Sequence, residues 1–445
     1  MKRPRSVIDN RPVVLFLLSI LLLGVSFPGH AKSYFQDFPQ QDDNSFIPFK
    51  GEIVDEENGK PLIFANITLE NNNISTVSNT EGEFLLKVPK DIAEGTIVVS
   101  FLGYTTRRIP LVQLGRNNNR IALKVSVTEL PEVNLSVPKD ARVLVKETFR
   151  KKGDNYFKDP AVMTAFYRET IKKRRRNVSL SEAVVNIYKT PYTSARQDAV
   201  SIYKARKSTD YSKLDTLVLK LQGGPFNTLF VDIMKYPDYI FTEESMVKYK
   251  FSFDRSTRIN DQLIYVINFE QREGYLEPLY KGKLYIDAEK KILTSAIFSL
   301  NITDKEEASR MFVRRKPWNA HVYPTEVAYR VDYRERNGRW FYSYSNVLLE
   351  FKIDWDKRLF NSVYTLSCEM AITDWEKYLE DERPKFKDRL RTNIILSDEA
   401  IGFSDPNFWG AYNIIEPEKS IESAIRKIQK QLEKAKPEGS EAASL

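Results

Sequence analysis

Residues 327–353 read VAYRVDYRERNGRWFYSYSNVLLEFKI, and this stretch decides the fold of most of the chain. Apolar and polar residues alternate along it, which is the pattern of β-strands that bury one face and leave the other face wet. The pair Asn337-Gly338 interrupts the alternation, and this dipeptide favours the tight turn of a hairpin. The stretch therefore predicts two long antiparallel strands.

One face of this predicted hairpin is the candidate site for an apolar ligand or a partner. Its residues are Val327, Tyr329, Val331, Trp340, Tyr342 and Tyr344. Apolar and aromatic side chains commonly line ligand pockets. Residues in such alternation also form the ordinary core of a sheet domain, and this alternative stays open from the sequence.

The alternation continues on both sides of the hairpin, so we predict a large antiparallel sheet. Further strands are predicted over residues 164–174, 180–188, 198–204, 263–270, 282–287 and 293–301. A helix is predicted over residues 139–152, and another helix begins after Ser420 and precedes a disordered tail over residues 437–445. Residues 139–436 are thus predicted to be an antiparallel curved-sheet domain with a few helices.

Residues 47–130 show a second pattern, in which short strands are separated by turn signals at close intervals. The pieces that stand out are Gly51, Gly59-Lys60-Pro61-Leu62, Ala65-Asn66-Ile67, Thr76, Asn79-Thr80-Glu81-Gly82-Glu83-Phe84 and Ser100-Phe101-Leu102-Gly103-Tyr104. Their order and spacing resemble the carboxypeptidase-like regulatory domain of bacterial cell-envelope proteins. The resemblance implies a transthyretin-like Greek-key β-sandwich that supports or docks other domains, without peptidase activity.

The whole chain is therefore predicted to be mainly β, with an N-terminal sandwich followed by the large sheet domain. A linker over residues 131–138, bounded by two prolines, joins the two domains. The composition agrees with this fold class, because 12% of the residues are aromatic and only 17 are glycine, and aromatic side chains suit strands.

The first 31 residues are typical of a signal peptide. Four basic residues precede or flank the apolar run Val13–Val25, and Gly29-His30-Ala31 offers small residues for cleavage after Ala31. A flexible leader follows over residues 32–46. The only cysteine is Cys368, so a bacterial lipoprotein anchor is not expected. We predict an exported protein that is periplasmic or associated with the outer membrane, and an uncleaved anchor is the alternative.

The charge of the chain does not indicate nucleic acid as a partner. The formal net charge is +8, and four of the basic residues belong to the predicted signal peptide, so the mature chain is only mildly basic. Two runs of cations stand out, namely Arg314-Arg315-Lys316 and the longer run of Lys172, Lys173, Arg174, Arg175 and Arg176. At a hairpin tip the longer run could contact an anionic membrane surface, or it could be a plain solvated turn.

The residue types needed for catalysis are scarce. After export the only histidine is His321. A zinc site built from several histidines is therefore not expected, and a catalytic triad could use only His321. We expect no cofactor and no metal, and we expect Cys368 to be a buried, inert thiol. Paired carboxylates remain the one enzymatic option, and the candidates are Asp232, Asp238, Glu243 and Glu244.

These observations predict a non-enzymatic binding or scaffold protein of the cell envelope, whose partner is an envelope protein or a lipid. Two other functions stay open. One is an accessory subunit that docks on an outer-membrane transporter through the sandwich. The other is a hydrolase that uses paired carboxylates.

Cleavage after Ala31 predicts that the mature protein isolated from the envelope begins at Lys32. N-terminal sequencing and intact-mass spectrometry measure this directly. A mature chain that keeps the run Val13–Val25 would contradict the prediction and would indicate a membrane anchor.

Overall fold

The computed structural model describes most of the chain, namely residues 19–23, 45–92, 94–126, 140–174, 176–209, 218–242, 244–254, 257–259, 262–356, 361–378, 383–402 and 408–418. Four predicted features lie outside the described residues. They are most of the leader, the linker over residues 131–138, the helix after Ser420 and the tail over residues 437–445.

The described residues are mainly β, as predicted. In chain order the strands are β1 Ser19–Leu23, β2 Phe46–Asp55, β3 Asn66–Leu69, β4 Ser75–Val77, β5 Glu83–Pro89, β6 Thr96–Ser100, β7 Arg107–Pro110, β8 Asn119–Leu123, β9 Ala161–Lys173, β10 Arg176–Lys189, β11 Ala199–Thr209, β12 Val218–Gln222, β13 Tyr249–Phe253, β14 Thr257–Ile259, β15 Gln262–Gln271, β16 Tyr280–Asp287, β17 Ile292–Leu300, β18 Val313–Arg315, β19 Ala320–Arg336, β20 Arg339–Trp355, β21 Ser362–Lys377 and β22 Ile401–Gly402.

The helices among the described residues are few and short. They are α1 Ala141–Arg150, α2 Lys152–Asn155, α3 Phe226–Leu229, α4 Lys305–Phe312 and α5 Leu396–Glu399, with single 3-10 turns at Leu111–Gln113, Pro237–Tyr239, Ser245–Lys248 and Phe386–Asp388. Helix α1 confirms the helix predicted over residues 139–152, and it begins where the Asp140 side chain accepts a hydrogen bond from the Arg142 N–H. No helix among the described residues is long and apolar enough to cross a membrane.

The N-terminal domain is a small sandwich of two sheets, with strand orders β5-β2-β8 and β4-β3-β6-β7. Its core contains Ile53, Ile67, Phe84 and Val99. Gly51 is required where β2 passes β8, because a Cβ there would lie 2.2 Å from the Asn119 carbonyl oxygen. The sandwich that the resemblance implied is therefore present.

Part of the predicted signal peptide is described as strand β1. It pairs antiparallel with β12 and parallel with β18 in a separate three-stranded sheet. Cleavage of this segment remains a prediction.

The large domain is one twelve-stranded sheet within the described residues. Its order is β13-β15-β16-β17-β19-β20-β21-β9-β10-β11-β22, and β14 also pairs with β15. All its pairings are antiparallel except that of β22 with β11. The hairpin predicted at Asn337-Gly338 joins β19 to β20, with Asn337 at φ 51° and Gly338 at φ 74°, which are the left-handed angles that such a turn needs.

The main hydrophobic core lies on one face of this sheet. Residues 226–241, which we call the plug, pack on that face, and α1 adds Leu144 and Val145. The plug buries Leu229, Phe230 and Val231 almost completely. Burial of each such side chain contributes about 1.5–3 kcal/mol, so apolar packing holds the plug against the sheet.

A buried ion cluster also fixes the plug. The Lys189 ammonium on β10 lies 2.7 Å from Asp232 Oδ2 on the plug and 2.8 Å from Asp198 Oδ2. The Tyr333 hydroxyl donates to Asp232 Oδ1 at 3.0 Å, and the Tyr236 hydroxyl donates to Asp198 Oδ2 at 2.8 Å. Burial alone would lower the pKa of Lys189, but the charges of Asp198 and Asp232 outweigh it and raise that pKa.

The opposite face of the sheet receives the sandwich and residues 408–418, which we call the strap. The Ile414 and Ile415 side chains of the strap are buried. The Thr76 hydroxyl of the sandwich donates to the Ile414 carbonyl at 2.9 Å, and the Arg168 guanidinium of β9 donates to the Ile415 carbonyl at 2.7 Å. The strap therefore bonds both domains at once.

A β-bulge decides which side chain meets the sandwich. Asp332 pairs with Tyr344 and Tyr333 pairs with Tyr342, so Ser343 is an extra residue on β20. An extra residue shifts the alternation of the strand. As a result Tyr342 faces the main core, whereas Tyr344 crosses to the other face and stacks on Phe64 of the sandwich, with ring centroids 4.8 Å apart.

The ion cluster predicts a large difference between two Lys→Ala substitutions. Lys189→Ala leaves Asp198 and Asp232 buried without their cation, which should cost roughly 3–5 kcal/mol in the free energy of unfolding. Lys283→Ala removes a surface pair with Asp254 and should cost less than about 1 kcal/mol. Urea denaturation measures both variants, and equal small losses would contradict a structural role for the cluster.

Candidate functional site

The six residues predicted to line an apolar ligand face do not form one open face. Four of them, Val327, Tyr329, Val331 and Tyr342, are buried in the main core, and Trp340 packs at its margin. The placement of Tyr344 on the same face is wrong, because the bulge at Ser343 turns it toward the sandwich. The plug covers the core face, so these residues pack as ordinary core.

The four carboxylates considered for hydrolysis are not brought together. Asp232 is fully buried and bonded to Lys189 and Tyr333. Asp238 and Glu244 are exposed, and Glu243 lies outside the described residues. The carboxyl of Glu169, which the sequence did not single out, is buried, and this burial raises its pKa to about 8.

The predicted hairpin tip does exist between β9 and β10, but its cations are used in different ways. Lys172 lies 3.7 Å from Glu418 of the strap, and the Lys173 ammonium lies 5.9 Å from the centroid of the Tyr364 ring. Arg174 and Arg176 are exposed, and Arg175 lies outside the described residues. Contact of this tip with a membrane surface stays a prediction.

The two residues that could serve as a base or a nucleophile differ in exposure. His321 is exposed and its Nε2 lies 3.4 Å from Asp356 Oδ1. Cys368 is buried, as predicted, and burial raises the pKa of its thiol well above the usual value. Among the described residues no group of three His, Cys, Asp or Glu side chains is placed to hold a metal ion.

A groove of about 510 Å³ opens between the sandwich and the polar face of the sheet. Strands β3 and β6 and the loops that follow them form one wall. The polar face of β19, the hairpin after it and the start of β20 form the other wall, together with Trp375 of β21. Both domains therefore contribute to this site, and neither would form it alone.

Most charged groups in the groove are paired. Arg330 Nε lies 2.8 Å from Asp332 Oδ2, and the Ser295 hydroxyl donates to Asp332 Oδ1 at 2.6 Å. Arg108 Nε lies 3.0 Å from Glu70 Oε1. The Arg330 guanidinium also packs on Phe64 and Phe101, 5.7 Å from each ring centroid. Both ion pairs lie within one domain, whereas the contacts of Arg330 with Phe64 and Phe101 join the sheet to the sandwich.

Arg334 differs from these residues. One of its terminal nitrogens donates to the Thr68 hydroxyl at 2.7 Å, and its Nε is buried with no hydrogen-bond partner. No ion pair of Arg334 occurs within the part of the chain that the structure describes. Burial first, and the nearby charge of Arg336 second, lower the pKa of Arg334 to about 10, so the side chain is still charged at neutral pH.

The groove lies on the opposite face of β19 from the residues that the sequence singled out. Arg330, Asp332 and Arg334 alternate with the core residues of β19, and that alternation identified their face as polar. The sequence also shows that this face carries charges of both signs. Nothing in the sequence indicates that the sandwich packs over it, so the groove could not be predicted.

Several solved structures are distantly similar to the chain. A protein domain described as outer membrane lipoprotein-sorting, from Vibrio parahaemolyticus, is 11% identical, with a TM-score of 0.24 and coverage of 56% of this chain and 95% of that chain. A DUF1329 family protein from Desulfovibrio piger is 9% identical, with a TM-score of 0.23 and coverage of 56% and 99%. MucB is 10% identical, with a TM-score of 0.18 and coverage of 53% and 98%. At these scores the likenesses carry no argument.

The sandwich, unlike the chain as a whole, matches a known domain family. A comparison with curated proteins found no match for the chain. Residues 49–135, however, match the model of the CarboxypepD_reg-like domain. This match confirms the resemblance carried by the turn and strand residues between Gly51 and Tyr104, and the N-terminal sandwich is therefore a carboxypeptidase-like regulatory domain.

Proposed function

We propose that this protein is a non-enzymatic binding protein of the cell envelope, which holds a ligand or an envelope partner in the groove between its sandwich and its sheet. The observation that carries the proposal is the groove itself, which both domains line. Ligand sites occur preferentially at domain interfaces and have volumes of roughly 300–1,000 Å³. The groove volume of about 510 Å³ falls within this range.

The plug closes the main core. This favours the groove, and not the apolar face of the predicted hairpin, as the ligand site. The plug fills the core face with its own side chains, and the Lys189 cluster bonds the plug to β10. A ligand on that face would have to displace the plug side chains and break the Lys189 cluster. The groove needs no such opening, since its walls are already separated.

The charges of the groove favour binding over hydrolysis. A hydrolase with two carboxylates needs one that is free to act as a base or nucleophile and one that can donate a proton. Asp332 already bonds Arg330 and Ser295, and Glu70 already bonds Arg108. The remaining lining carboxylate, Glu335, accepts a hydrogen bond from the Gly338 N–H at 2.8 Å. We therefore propose recognition without bond cleavage.

A rigid groove also suits a binding role because little order must be gained when a ligand enters. The strap and the stack of Tyr344 on Phe64 fix the two walls relative to each other. Pre-organised sites bind more tightly because they do not have to order side chains and loops on binding.

Native mass spectrometry of the mature protein, purified gently from its own envelope, tests the proposal. The Val98 side chain lines the groove, so Val98→Trp should fill part of it. Val112, also on the sandwich, is 82% exposed outside the groove, so Val112→Trp is the matched control. We expect a bound lipid, small molecule or protein on the wild type and on Val112→Trp, and its loss from Val98→Trp.

Two results would contradict the proposal. One is a companion that stays on Val98→Trp at the wild-type occupancy, since the site would then lie elsewhere. The other is a wild-type protein that carries no stoichiometric companion. Circular dichroism of each variant confirms that both Trp variants keep the β fold.

A further inference from the structure

We infer that the groove recognises an oxyanion, either a carboxylate or a phosphate group, which binds at Arg334 while the rest of the ligand packs against the aromatic side chains beside it. The inference rests on the proposed function, because it assigns a chemical class to the ligand of the same groove.

Arg334 lacks the carboxylate partners that Arg168 and Arg330 have on the same face of the sheet. Arg168 has two carboxylate partners, Glu182 at 2.8 Å and Glu369 at 3.0 Å. Arg330 has Asp332 at 2.8 Å. Arg334 has only the Thr68 hydroxyl at 2.7 Å. Charges that are largely withdrawn from water are normally paired, and Arg334, like its neighbour Arg336, has no carboxylate partner among the described residues.

A second positive charge lies next to Arg334. Arg336, two residues along β19, donates to the Asn71 carbonyl at 2.9 Å and forms no ion pair with the described residues. The charge of Asp374 raises the pKa of Arg336, although burial outweighs it and lowers that pKa overall. The lining carboxylates are engaged elsewhere, as Glu70 and Asp332 show. Arg334 and Arg336 therefore place two cations without an ion pair among the described residues at this end of the groove.

Aromatic rings surround the Arg334 guanidinium. Its guanidinium lies 5.2 Å from the centroid of the Phe341 ring, and Phe341 packs on Trp375 at 5.7 Å. The Trp375 indole N–H is buried without an acceptor, as is Arg334 Nε. Both donors belong to residues that line the groove. Two such donors and a positive charge suit a group with several acceptor oxygens, and the planar guanidinium fork fits carboxylate and phosphate geometry.

Two hydrogen-bond acceptors without a partner also line the groove, and they indicate which groups the rest of the ligand carries. The side-chain oxygens of Asn66 and Asn73, which also line the groove, are buried without a donor. Amide oxygens can accept from hydroxyl groups, and aromatic faces pack on rings. The ligand that fits best is therefore an oxyanion attached to a ring that carries hydroxyl groups, such as an acidic sugar or a sugar phosphate.

Isothermal titration calorimetry of the mature protein tests this assignment with defined probes, namely glucuronate, glucose 1-phosphate, inorganic phosphate and neutral glucose. We expect the two charged sugars to bind more tightly than glucose, and added salt to weaken them. The charged sugar that binds more tightly shows whether the preferred oxyanion is a carboxylate or a phosphate. Inorganic phosphate reports the contribution of the anion without a ring.

Substitution of the arginine gives the decisive comparison. Arg334→Gln should weaken binding of the charged sugars by roughly 10- to 100-fold, since a hydrogen bond to a charged group is worth about 1.5–3 kcal/mol. Arg107→Gln removes the same charge from an exposed position on β7, outside the groove lining, and should leave affinity unchanged. If Arg334→Gln does not fold, Arg336→Gln should still lower the affinity for the charged sugars, by a smaller factor.

Three results would overturn the inference. They are equal affinity for glucuronate, glucose 1-phosphate and glucose, no binding of any charged probe, and equal losses in the Arg334→Gln and Arg107→Gln proteins. The proposed function is tested separately, because a native companion that is lost from Val98→Trp but retained by Arg334→Gln would keep the groove as the site while rejecting the oxyanion.

Discussion

The stack of Tyr344 on Phe64 is the contact on which the arrangement of the two domains depends. Tyr344 reaches the sandwich only because the extra residue Ser343 shifts the alternation of β20. Without that bulge the side chain would face the main core, and the sandwich would meet a different surface. The strap adds bonds from Ile414 to the sandwich and from Ile415 to the sheet, so the docked position is fixed from both sides.

The two faces of the large sheet have different roles as a result. One face is dry, closed by the plug and bonded through Lys189, and it supplies most of the apolar burial that stabilises the domain. The other face carries charged residues on β19, and the sandwich covers it only in part. The uncovered part is the groove, where Arg334 is left without a carboxylate. The proposed binding role therefore follows from incomplete coverage of a charged sheet face.

The sequence predicted the strands of the sheet but did not predict the groove, for physical reasons. Alternation along β19 and the Asn337-Gly338 turn depend on local residues, and both appear in the structure. The plug is a run without clear periodicity, so its burial was not expected. The bulge at Ser343 is a single extra residue within a continuous strand pattern, and it moved Tyr344 to the other face. The groove depends on contacts between residues some 265 positions apart, such as Arg336 with Asn71, which no local pattern encodes.

Differential scanning calorimetry of the mature protein tests the central claim, that the sandwich is fixed to the charged face of the sheet. Docking through Tyr344 and the strap predicts one shared unfolding transition for the wild type. Tyr344→Ala should separate it into two, since loss of a buried aromatic ring costs about 3–5 kcal/mol. Two transitions in the wild-type protein, with a sandwich transition that Tyr344→Ala leaves unchanged, would contradict the account.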